Sequence, residues 1–366
     1  MEKEALWAIL HNAFLDGNNR HILALLEEKA DPEELLGLSF AGWKARLPML
    51  GEDAIGRLVA MAKEADPEKT AEYMYKRQIR MVGFYDEEYP HYLRNIDNPP
   101  PFLYLIGAEI NESALHIAMV GSRTCTEYGK KAAFELASEL SRNGVCIVSG
   151  LARGIDAASH GGALESAGGT IAVLGTGVDK IYPGENRRLA EDILAHPRGT
   201  IISEFPLSAK PLKWHFPMRN RIISGLSDGL VVVEAGRRSG SLISAELALE
   251  QGKEVFAVPG SIFAETSVGC NNLLRDGAKL VAEVSDILDE FGVEGVEAPK
   301  KVQVEEMDLS EDERTVLQYI TAEPIDIDEL GYLSKMAVPK LMNALSLLEI
   351  EGLVKQLAGR KYMRLG

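Results

Sequence analysis

Six short apolar runs, which recur every 25–30 residues, constrain the fold of this 366-residue chain more than any other feature. They are HIAMVG (116–121), VCIVSG (145–150), TIAVLG (170–175), TIISEF (200–205), GLVVVEA (229–235) and EVFAVPG (254–260). Strands buried on both faces of a parallel sheet have this nearly continuous apolar character, and helices form the crossovers between them. Stretches of helical spacing separate most of the runs. The pattern predicts a doubly wound, Rossmann-like parallel α/β sheet.

Segments of different character flank this sheet. Residues 1–75 have helical spacing without a strand pattern, which predicts a small helical (SAM-like) domain. A Pro- and Tyr-rich lead-in with two short strand candidates occupies 76–110, and the Rossmann-like core is predicted at 111–289. An acidic, aperiodic stretch at 290–308 has the composition of a linker. Three short helical patterns and two strand-like runs at 309–366 predict a C-terminal winged-helix domain.

Charge is distributed unevenly along the chain, whose formal net charge is −16. Residues 281–330 contain 16 acidic and 3 basic side chains, whereas residues 119–280 contain 17 acidic and 18 basic ones. This balance argues against a protein that coats nucleic acid over its whole surface, and it leaves room for a local anion-binding groove.

The N-terminus and the cysteines indicate the compartment. The chain begins MEKE and continues with apolar residues at helical spacing, which is typical of an amphipathic helix and not of a signal peptide. No run approaches the ~18 apolar residues of a membrane span. Three distant cysteines without a CxxC motif suggest neither a disulfide framework nor a zinc site. We therefore expect a cytoplasmic protein without a structural metal.

One stretch, KPLKWHFPMRNRIISGL (210–226), is basic and aromatic in an acidic protein. It contains no acid, and its cations and aromatics are Lys210, Lys213, Trp214, Phe216, Arg219 and Arg221. Binding to a single-stranded nucleic acid needs cations that follow the backbone and flat side chains on which bases stack. In the alternative interpretation, the aromatics anchor a loop and the two arginines pair with Glu204 or Glu234.

Four of the predicted strands end directly in glycine, and a sheet of this class binds ligands where its strands end. Glycine lets a backbone N–H approach a phosphate, and a helix N-terminus adds a favourable dipole. Five cations lie in or beside these loops and are expected to form an anion groove along one edge of the sheet: Arg123, Arg153, Lys180, Arg237 and Arg238. Ser122, Gly240 and Ser241 of the same loops are further candidate binding residues. No GxxxxGK[ST] motif occurs, and GTG at 175–177 lacks the third glycine of a dinucleotide fingerprint, so we expect no nucleotide cofactor.

Possible catalytic groups also lie near these loops. Asp156 and His160 are four residues apart on a predicted helix, and Glu234 ends a predicted strand. Acid–base chemistry needs such groups, but a carboxylate in a first helical turn also favours the helix dipole, and a histidine one turn later can simply pack. No GxSxG elbow is present. We expect a protein that is not an enzyme.

The chain resembles the bacterial DNA-processing protein A family (DprA, also called Smf) over residues 78–285. The matching motifs are GSR (121–123), SGLARGIDAASH (149–160), LGTGVDKIYPGEN (174–186), SEFP (203–206), HFPMRNRIISGLSDGLVVVEA (215–235) and SGSLISAELALEQGKEVFAVPG (239–260). The resemblance implies binding of single-stranded DNA, dimerisation, and help in loading a RecA-type recombinase during natural transformation. It implies DNA contacts by Arg123, by Lys213 and the stacking Phe216, and by the segment Arg219, Asn220 and Arg221.

The resemblance also implies dimerisation at the end of the sheet. The segment SVGCNNLLRDGAKLVAEV (267–284) is expected to leave apolar side chains uncovered there. The predicted interface residues are Leu273, Leu274, Leu280 and Val281.

Two functions of other classes are alternatives. One is a nucleotide-cleaving enzyme of the lysine-decarboxylase-like family, whose loop has the form PGGxGTxxE; here EAGRRSGSLISAE lacks the Pro-Gly-Gly and has Ser244 where the glutamate is needed. The other is a winged-helix transcription regulator, whose recognition helix would be PKLMNALSLLEIEG. That helix has Lys340 as its one cation, whereas helices that read a major groove offer several cationic or amide side chains.

Overall fold

The computed structural model of the chain describes residues 2–14, 19–295, 309–321, 324–357 and 359–364. The chain divides into two compact units, Met1–Val296 and Glu297–Gly366. Of the predicted linker at 290–308, residues 296–308 lie outside the described residues.

The first unit combines a sheet with helices on both sides. Its strands are β1 (Arg80–Gly83), β2 (Phe102–Gly107), β3 (His116–Val120), β4 (Cys146–Ser149), β5 (Thr170–Val173), β6 (Gly199–Ser203), β7 (Gly229–Val232), β8 (Glu254–Ala257) and β9 (Lys279–Leu280). Its helices are α1 (Glu2–Ala13), α2 (Asn19–Glu27), α3 (Pro32–Leu36), α4 (Phe40–Arg46), α5 (Glu52–Glu64), α6 (Pro67–Lys76), α7 (His91–Arg94), α8 (Glu127–Arg142), α9 (Ile155–Ala163), α10 (Arg187–Ala195), α11 (His215–Gly225), α12 (Gly240–Glu250), α13 (Val268–Arg275) and α14 (Ser285–Leu288).

The sheet has the order β1-β2-β6-β5-β4-β3-β7-β8-β9. Strands β3 to β9 pair with one another in parallel, and each of the six apolar runs contains or overlaps one of the strands β3 to β8. The predicted doubly wound sheet is thereby confirmed. The sheet is not purely parallel, because the two strands of the lead-in add antiparallel pairs: β1 pairs with β2, and β2 pairs with β6.

Alternate residues of the central strands contribute to cores on opposite faces of the sheet. Ala118 and Val120 of β3 pack in one apolar cluster, and Ile117 and Met119 pack in another. Since successive side chains of a strand point to opposite faces, both faces of β3 are covered. This is why its sequence is apolar without alternation.

The N-terminal helices share a core with the sheet. Trp7 and Trp43 belong to the same apolar cluster as Phe102 and Tyr104 of β2. The ring Nδ1 of His11 lies 3.0 Å from the Tyr104 hydroxyl, and both side chains are buried. The helical segment at 1–75 therefore packs on the β2 side of the sheet, within the first unit.

The second unit has the elements of a winged helix, as predicted. They are α15 (Glu311–Leu317), β10 (Ile325–Asp326), α16 (Ile327–Ser334), α17 (Val338–Ile350), β11 (Val354–Leu357) and β12 (Lys361–Arg364). The small sheet has the order β10-β12-β11. A capping box between Ser310 and Glu313 begins α15, and Leu345, Leu348 and Tyr362 form part of the core.

The proposed dimer residues differ in exposure, and one expectation was wrong. Val281 is only 1 % exposed, because it packs in the core with Val258 and Ile287. Leu273 and Leu274 are half-buried against the opposite core cluster. Leu280, on the edge strand β9, is 51 % exposed.

Candidate nucleic-acid interface

The carboxyl ends of the central strands meet at a topological switch point. Strand β3 pairs with β4 on one side and with β7 on the other, so the chain leaves β3 and β7 in opposite directions. In open α/β sheets, this divergence opens a crevice between the loops that follow the strands.

A cavity of about 590 Å³ occupies this crevice. Eight of the ten residues predicted from the sequence line it: Ser122, Arg123, Lys213, Phe216, Arg219, Asn220, Gly240 and Ser241. A smaller adjoining cavity of about 40 Å³ is lined by Arg153, the ninth residue, together with Arg123 and Phe216. Arg221, the tenth, lines neither cavity.

The loop after β3 is held by Glu234. The Glu234 carboxylate accepts hydrogen bonds from the backbone N–H of Thr126 at 3.1 Å and from its hydroxyl at 2.5 Å. The Glu234 carbonyl accepts a bond of 2.7 Å from the Ser122 N–H. A Cβ on Gly121 would lie 2.5 Å from Ile155 Cγ1 and 2.9 Å from the Glu234 carbonyl, so the close approach requires glycine. Glu234 thus positions the loop that carries Arg123.

The loop after β4 is organised by a buried pair, Asp156 and Arg219. Asp156 accepts hydrogen bonds from the N–H groups of Gly150 and Ala152, at 3.1 and 3.3 Å. Arg219 donates from Nη1 to the carbonyls of Gly150, at 2.7 Å, and Val173. Burial raises the pKa of the Asp156 carboxyl above its usual value, and burial lowers the pKa of Arg219 to about 10, which leaves the guanidinium charged at neutral pH.

Burial corrects the expectation that Arg219 and Arg221 of the basic stretch contact the DNA. Arg219 is 3 % exposed and Arg221 is 8 % exposed. Arg221 donates from Nη2 to the Glu204 carboxylate at 2.5 Å, and both side chains are buried. One face of α11 packs against the sheet, so these two arginines form hydrogen bonds within the protein and are not available to a ligand. The alternative pairing of Arg221 with Glu204 is the one that the structure contains.

Phe216 is the aromatic at the centre of the site. It is half-buried, and its ring packs against the loop after β5, where a Cβ on Gly175 would lie 2.9 Å from Phe216 Cδ1. The Arg123 guanidinium carbon lies 5.2 Å from the centre of the Phe216 ring, and the ring centres of Tyr182 and Phe216 are 5.7 Å apart. Arg123 and Lys213 are exposed, and neither makes an ion pair with a described residue.

Helix α12 directs its N-terminus at the same cavity. Ser239 caps the helix and accepts a bond from the Ser241 N–H at 3.4 Å. A Cβ on Gly240 would meet no atom within 4 Å, so this backbone faces open space. The first N–H groups of a helix lack intrahelical partners and favour an anion.

The groups considered for catalysis have structural partners. His160 accepts the Leu151 N–H at Nε2 over 3.3 Å, and its Nδ1 lies 2.7 Å from the Thr170 hydroxyl. Burial lowers the pKa of His160 to about 3, so the ring is neutral at physiological pH. Among the described residues, no group of three or more His, Cys, Asp or Glu side chains could hold a metal ion.

Two further features concern the described residues outside this site. A cavity of about 470 Å³ lies between the N-terminal helices and the segment at 207–208, and its lining includes Glu64, Asp66, Lys69 and Tyr73. In the part of the chain that the structure describes, no helix is both long and apolar enough to cross a bilayer.

Sequence reasoning missed Tyr182. This side chain is 45 % exposed and lines both cavities of the site. It belongs to KIYPGEN, in the loop after the predicted strand TIAVLG. An aromatic beside a glycine loop at the carboxyl edge is the signal that could have identified it.

Comparisons with known proteins agree with this architecture. The sequence profile of the DNA recombination-mediator protein A family matches residues 80–292, and the profile of the DprA winged helix domain matches residues 300–360. The chain is 32% identical to the protein Smf of Synechocystis, over 93% of this chain and 94% of the relative. It is 45% identical to the DNA processing protein DprA of Bacillus subtilis, over 59% of this chain and 73% of the relative.

Solved structures of similar proteins extend the comparison to the fold. The X-ray structure of DNA processing protein A from Streptococcus pneumoniae superposes with a TM-score of 0.66 and 35% identity, covering 79% of this chain and 98% of that protein. A DNA processing protein A from Helicobacter pylori, studied for its single-stranded DNA binding mode, superposes with a TM-score of 0.53 and 32% identity, over 58% of this chain and 95% of that protein. The chain therefore belongs to the DNA recombination-mediator protein A family.

Proposed function

We propose that this protein binds single-stranded DNA in the cavity at the switch point and helps to load a RecA-type recombinase onto that strand. The observation that carries the proposal is the pairing of the Arg123 guanidinium with the Phe216 ring at 5.2 Å, beside Lys213 and the N-terminus of α12. An aromatic platform next to cations is the combination that a flexible strand requires.

Phosphates of the strand interact with Arg123, Lys213 and the N-terminal N–H groups of α12. These positively charged and N–H groups are concentrated at the cavity. The repulsion between DNA and a protein of net charge −16 is therefore confined to surfaces outside the cavity. Arg219 contributes to this site as a buried charge that fixes the loop after β4, and Asn220 offers its amide at the cavity wall.

Bases of the strand stack on Phe216 and on Tyr182. Both rings border the cavity, with their centres 5.7 Å apart. A base stacked within a duplex cannot offer its face to a side chain, whereas an unpaired base can. The geometry therefore supports a preference for single strands over duplex.

Family membership supports the recombinase partner, because the family consists of recombination mediators. Loading requires that the DNA be held reversibly and without chemistry on the strand. The partners assigned to Asp156, His160 and Glu234 support this non-catalytic role. No nucleotide cofactor is needed for the binding step. We place this activity in the cytoplasm, in natural transformation or related DNA processing.

The test is an anisotropy titration of a labelled oligonucleotide, as a single strand and as a duplex of the same length, without nucleotide. We expect tighter binding of the single strand and no effect of added Mg-ATP. Equal affinity for the duplex, or a requirement for ATP, would overturn the proposed function.

A further inference from the structure

We propose that the DNA groove continues past the cavity onto the loop after β8, where Phe263 forms a second stacking platform for a base of the same strand. Arg237 and Arg238 hold the phosphates between the two platforms. This inference rests on the proposed function and adds to it a second contact region and a longer binding site.

The loop after β8 exposes two adjacent large apolar side chains. Ile262 is 80 % exposed and Phe263 is 92 % exposed. Single exposed apolar residues are common on protein surfaces, but a neighbouring pair at the tip of a loop forms a patch that packing does not explain. These side chains add nothing to the core, so a role in binding accounts for them better.

The base of this loop is fixed. The Asn271 side chain accepts from the Gly260 N–H at 3.2 Å and donates to the Gly260 carbonyl at 3.0 Å. A Cβ on Gly260 would lie 2.2 Å from Ser267 Oγ, so the loop closes tightly there. The Ala264 N–H donates to the Ser261 carbonyl at 3.1 Å, which closes a turn around the tip. Phe263 is thus presented on an anchored turn, which limits the entropy lost when a ligand binds.

Two cations lie between this loop and the cavity. Arg237 and Arg238 are exposed, and neither forms an ion pair with any residue that the structure describes. They immediately precede Ser239 and Gly240, which line the cavity. On the other side, a Cβ on Gly236 would lie 3.4 Å from the Glu265 carbonyl, so the backbone before the arginines contacts the loop that carries Phe263.

The order of the strands brings the loops of the two stacking platforms, Phe216 and Phe263, to the same edge of the sheet. Strands β3, β7 and β8 are consecutive neighbours in the sheet, so the loops after them lie side by side at the carboxyl edge. Neighbouring strands are about 4.8 Å apart, which places the end of β8 roughly 10 Å from the end of β3. Arg123 follows β3, the two arginines follow β7, and Phe263 follows β8. A single strand that leaves the cavity in this direction meets a cation pair and then an aromatic ring.

Charge complementarity favours a nucleic acid as the occupant over a second copy of this chain. The patch combines an apolar tip with two exposed cations, Arg237 and Arg238, and one exposed carboxylate, Glu265, so its net charge is positive, which suits phosphates and bases. A second copy, with a net charge of −16, would have to contribute a local acidic surface to bind here. The test below therefore includes binding of a second copy as an outcome that would overturn the proposal.

The experiment compares two labelled oligonucleotides, of about 5 and about 15 nucleotides, which span the usual site sizes of single-strand binders. The variants are Phe263→Ala and a matched control, Tyr75→Ala, which removes a 67 % exposed aromatic from α6. We expect Phe263→Ala to weaken binding of the long strand about 5- to 150-fold. Binding of the short strand should be unchanged, and this also shows that the variant is folded. Tyr75→Ala should bind both strands as the parent does.

A second pair of variants tests the cations. Arg237→Ala combined with Arg238→Ala should lower the salt dependence of long-strand binding by about 1.4 in the slope of log K against log salt. Arg142→Ala, at the end of α8, is the control and should leave the slope unchanged.

The outcomes separate the two proposals. If the parent binds neither oligonucleotide, the proposed function fails. If the parent binds both and Phe263→Ala matches it on the long strand, the second platform is overturned and the proposed function stands. A Phe263→Ala variant that loses dimer mass in light scattering while keeping its affinity for DNA would assign the patch to a second copy and would also overturn the inference.

Discussion

Burial divides the cations near the cavity into two kinds. Arg219 and Arg221 are inside the protein, where they bond to backbone carbonyls and to Glu204. Arg123 and Lys213 are exposed at the cavity, where they can contact phosphates. A charge that already has a buried partner releases no counterion when DNA binds. Of these four cations, only the exposed pair therefore contributes to the salt dependence of binding.

We predict that Lys213→Ala reduces the slope of log K against log salt by about 0.7, the value of one phosphate contact in a single strand. Lys210→Ala is the matched control, since Lys210 is an exposed cation of the same segment that does not line the cavity. Titrations at several salt concentrations measure both slopes. Equal slopes for the two variants would remove Lys213 from the site.

A second prediction at the residue scale concerns pH. Burial lowers the pKa of His11 and of His160 to about 3, against about 6.5 in an unfolded chain. Between these values the unfolded state binds more protons, so stability is full above pH 6.5 and is lost as the pH falls. Each histidine should reduce the free energy of unfolding by about 1.4 kcal/mol per pH unit below 6.5.

Urea denaturation of the parent and of His160→Asn, at pH 7 and at pH 5.5, measures this effect. The parent alone does not show the effect of the histidine, because burial also raises the pKa of Asp156 and of Glu204, and these carboxyls stabilise the folded protein as the pH falls. The difference between parent and variant isolates the contribution of His160. We expect a shallower pH dependence in the variant. The same dependence in both proteins would contradict the assignment of a neutral, buried His160.

At the scale of the element, the loop after β3 and the start of α8 form one unit with the end of β7. Thr126 caps α8 by accepting the Gly129 N–H at 3.1 Å, and it donates its hydroxyl to Glu234 at 2.5 Å. Glu234 is 3 % exposed, so the carboxylate depends on these bonds for its solvation. The cap therefore stabilises the helix and also the loop that carries Arg123.

We predict that Thr126→Ala lowers the free energy of unfolding by about 1–3 kcal/mol, from the lost cap and the unsatisfied carboxylate. Thr126→Ser keeps both hydrogen-bonding functions and should stay within about 0.5 kcal/mol of the parent. Chemical denaturation compares the three proteins. A Thr126→Ala variant as stable as the serine variant would show that Glu234 does not depend on this bond.

At the scale of the whole molecule, the sequence predicts the fold better than it predicts the exposure of site residues. The six apolar runs locate β3 to β8 because strands covered on both faces must be apolar throughout. Strands β1 and β2 are harder to assign, since their antiparallel pairing at the edge depends on contacts with β6 and with the N-terminal helices.

The sequence predicts where the candidate site lies, but not which of its side chains are exposed. Glycine loops and the basic stretch identify the cavity, because strand order brings them to one edge. Which face of α11 packs on the sheet is a tertiary property, so the burial of Arg219 and Arg221 could not be read from residue type. The same holds for Val281, which tertiary packing covers.

A prediction at this scale is that the protein dimerises through the edge of the sheet. Strand β9 ends the sheet and carries Leu280, which is 51 % exposed. Light scattering at micromolar concentration should give a dimer for the parent and for Leu249→Lys, a control at a 60 % exposed leucine of α12, and a monomer for Leu280→Lys. A monomeric parent would contradict this arrangement.

The central claim, that bases of a single strand stack on Phe216, is tested most directly by measuring DNA affinity and melting temperature together on Phe216→Ala. We predict that affinity for a single strand falls about 5- to 150-fold, because stacking contributes roughly 1–3 kcal/mol per base, and that salt dependence is unchanged. The control variant Tyr75→Ala should bind as the parent does. A Phe216→Ala protein that melts at a lower temperature yet binds single strands as tightly as the parent would contradict the account.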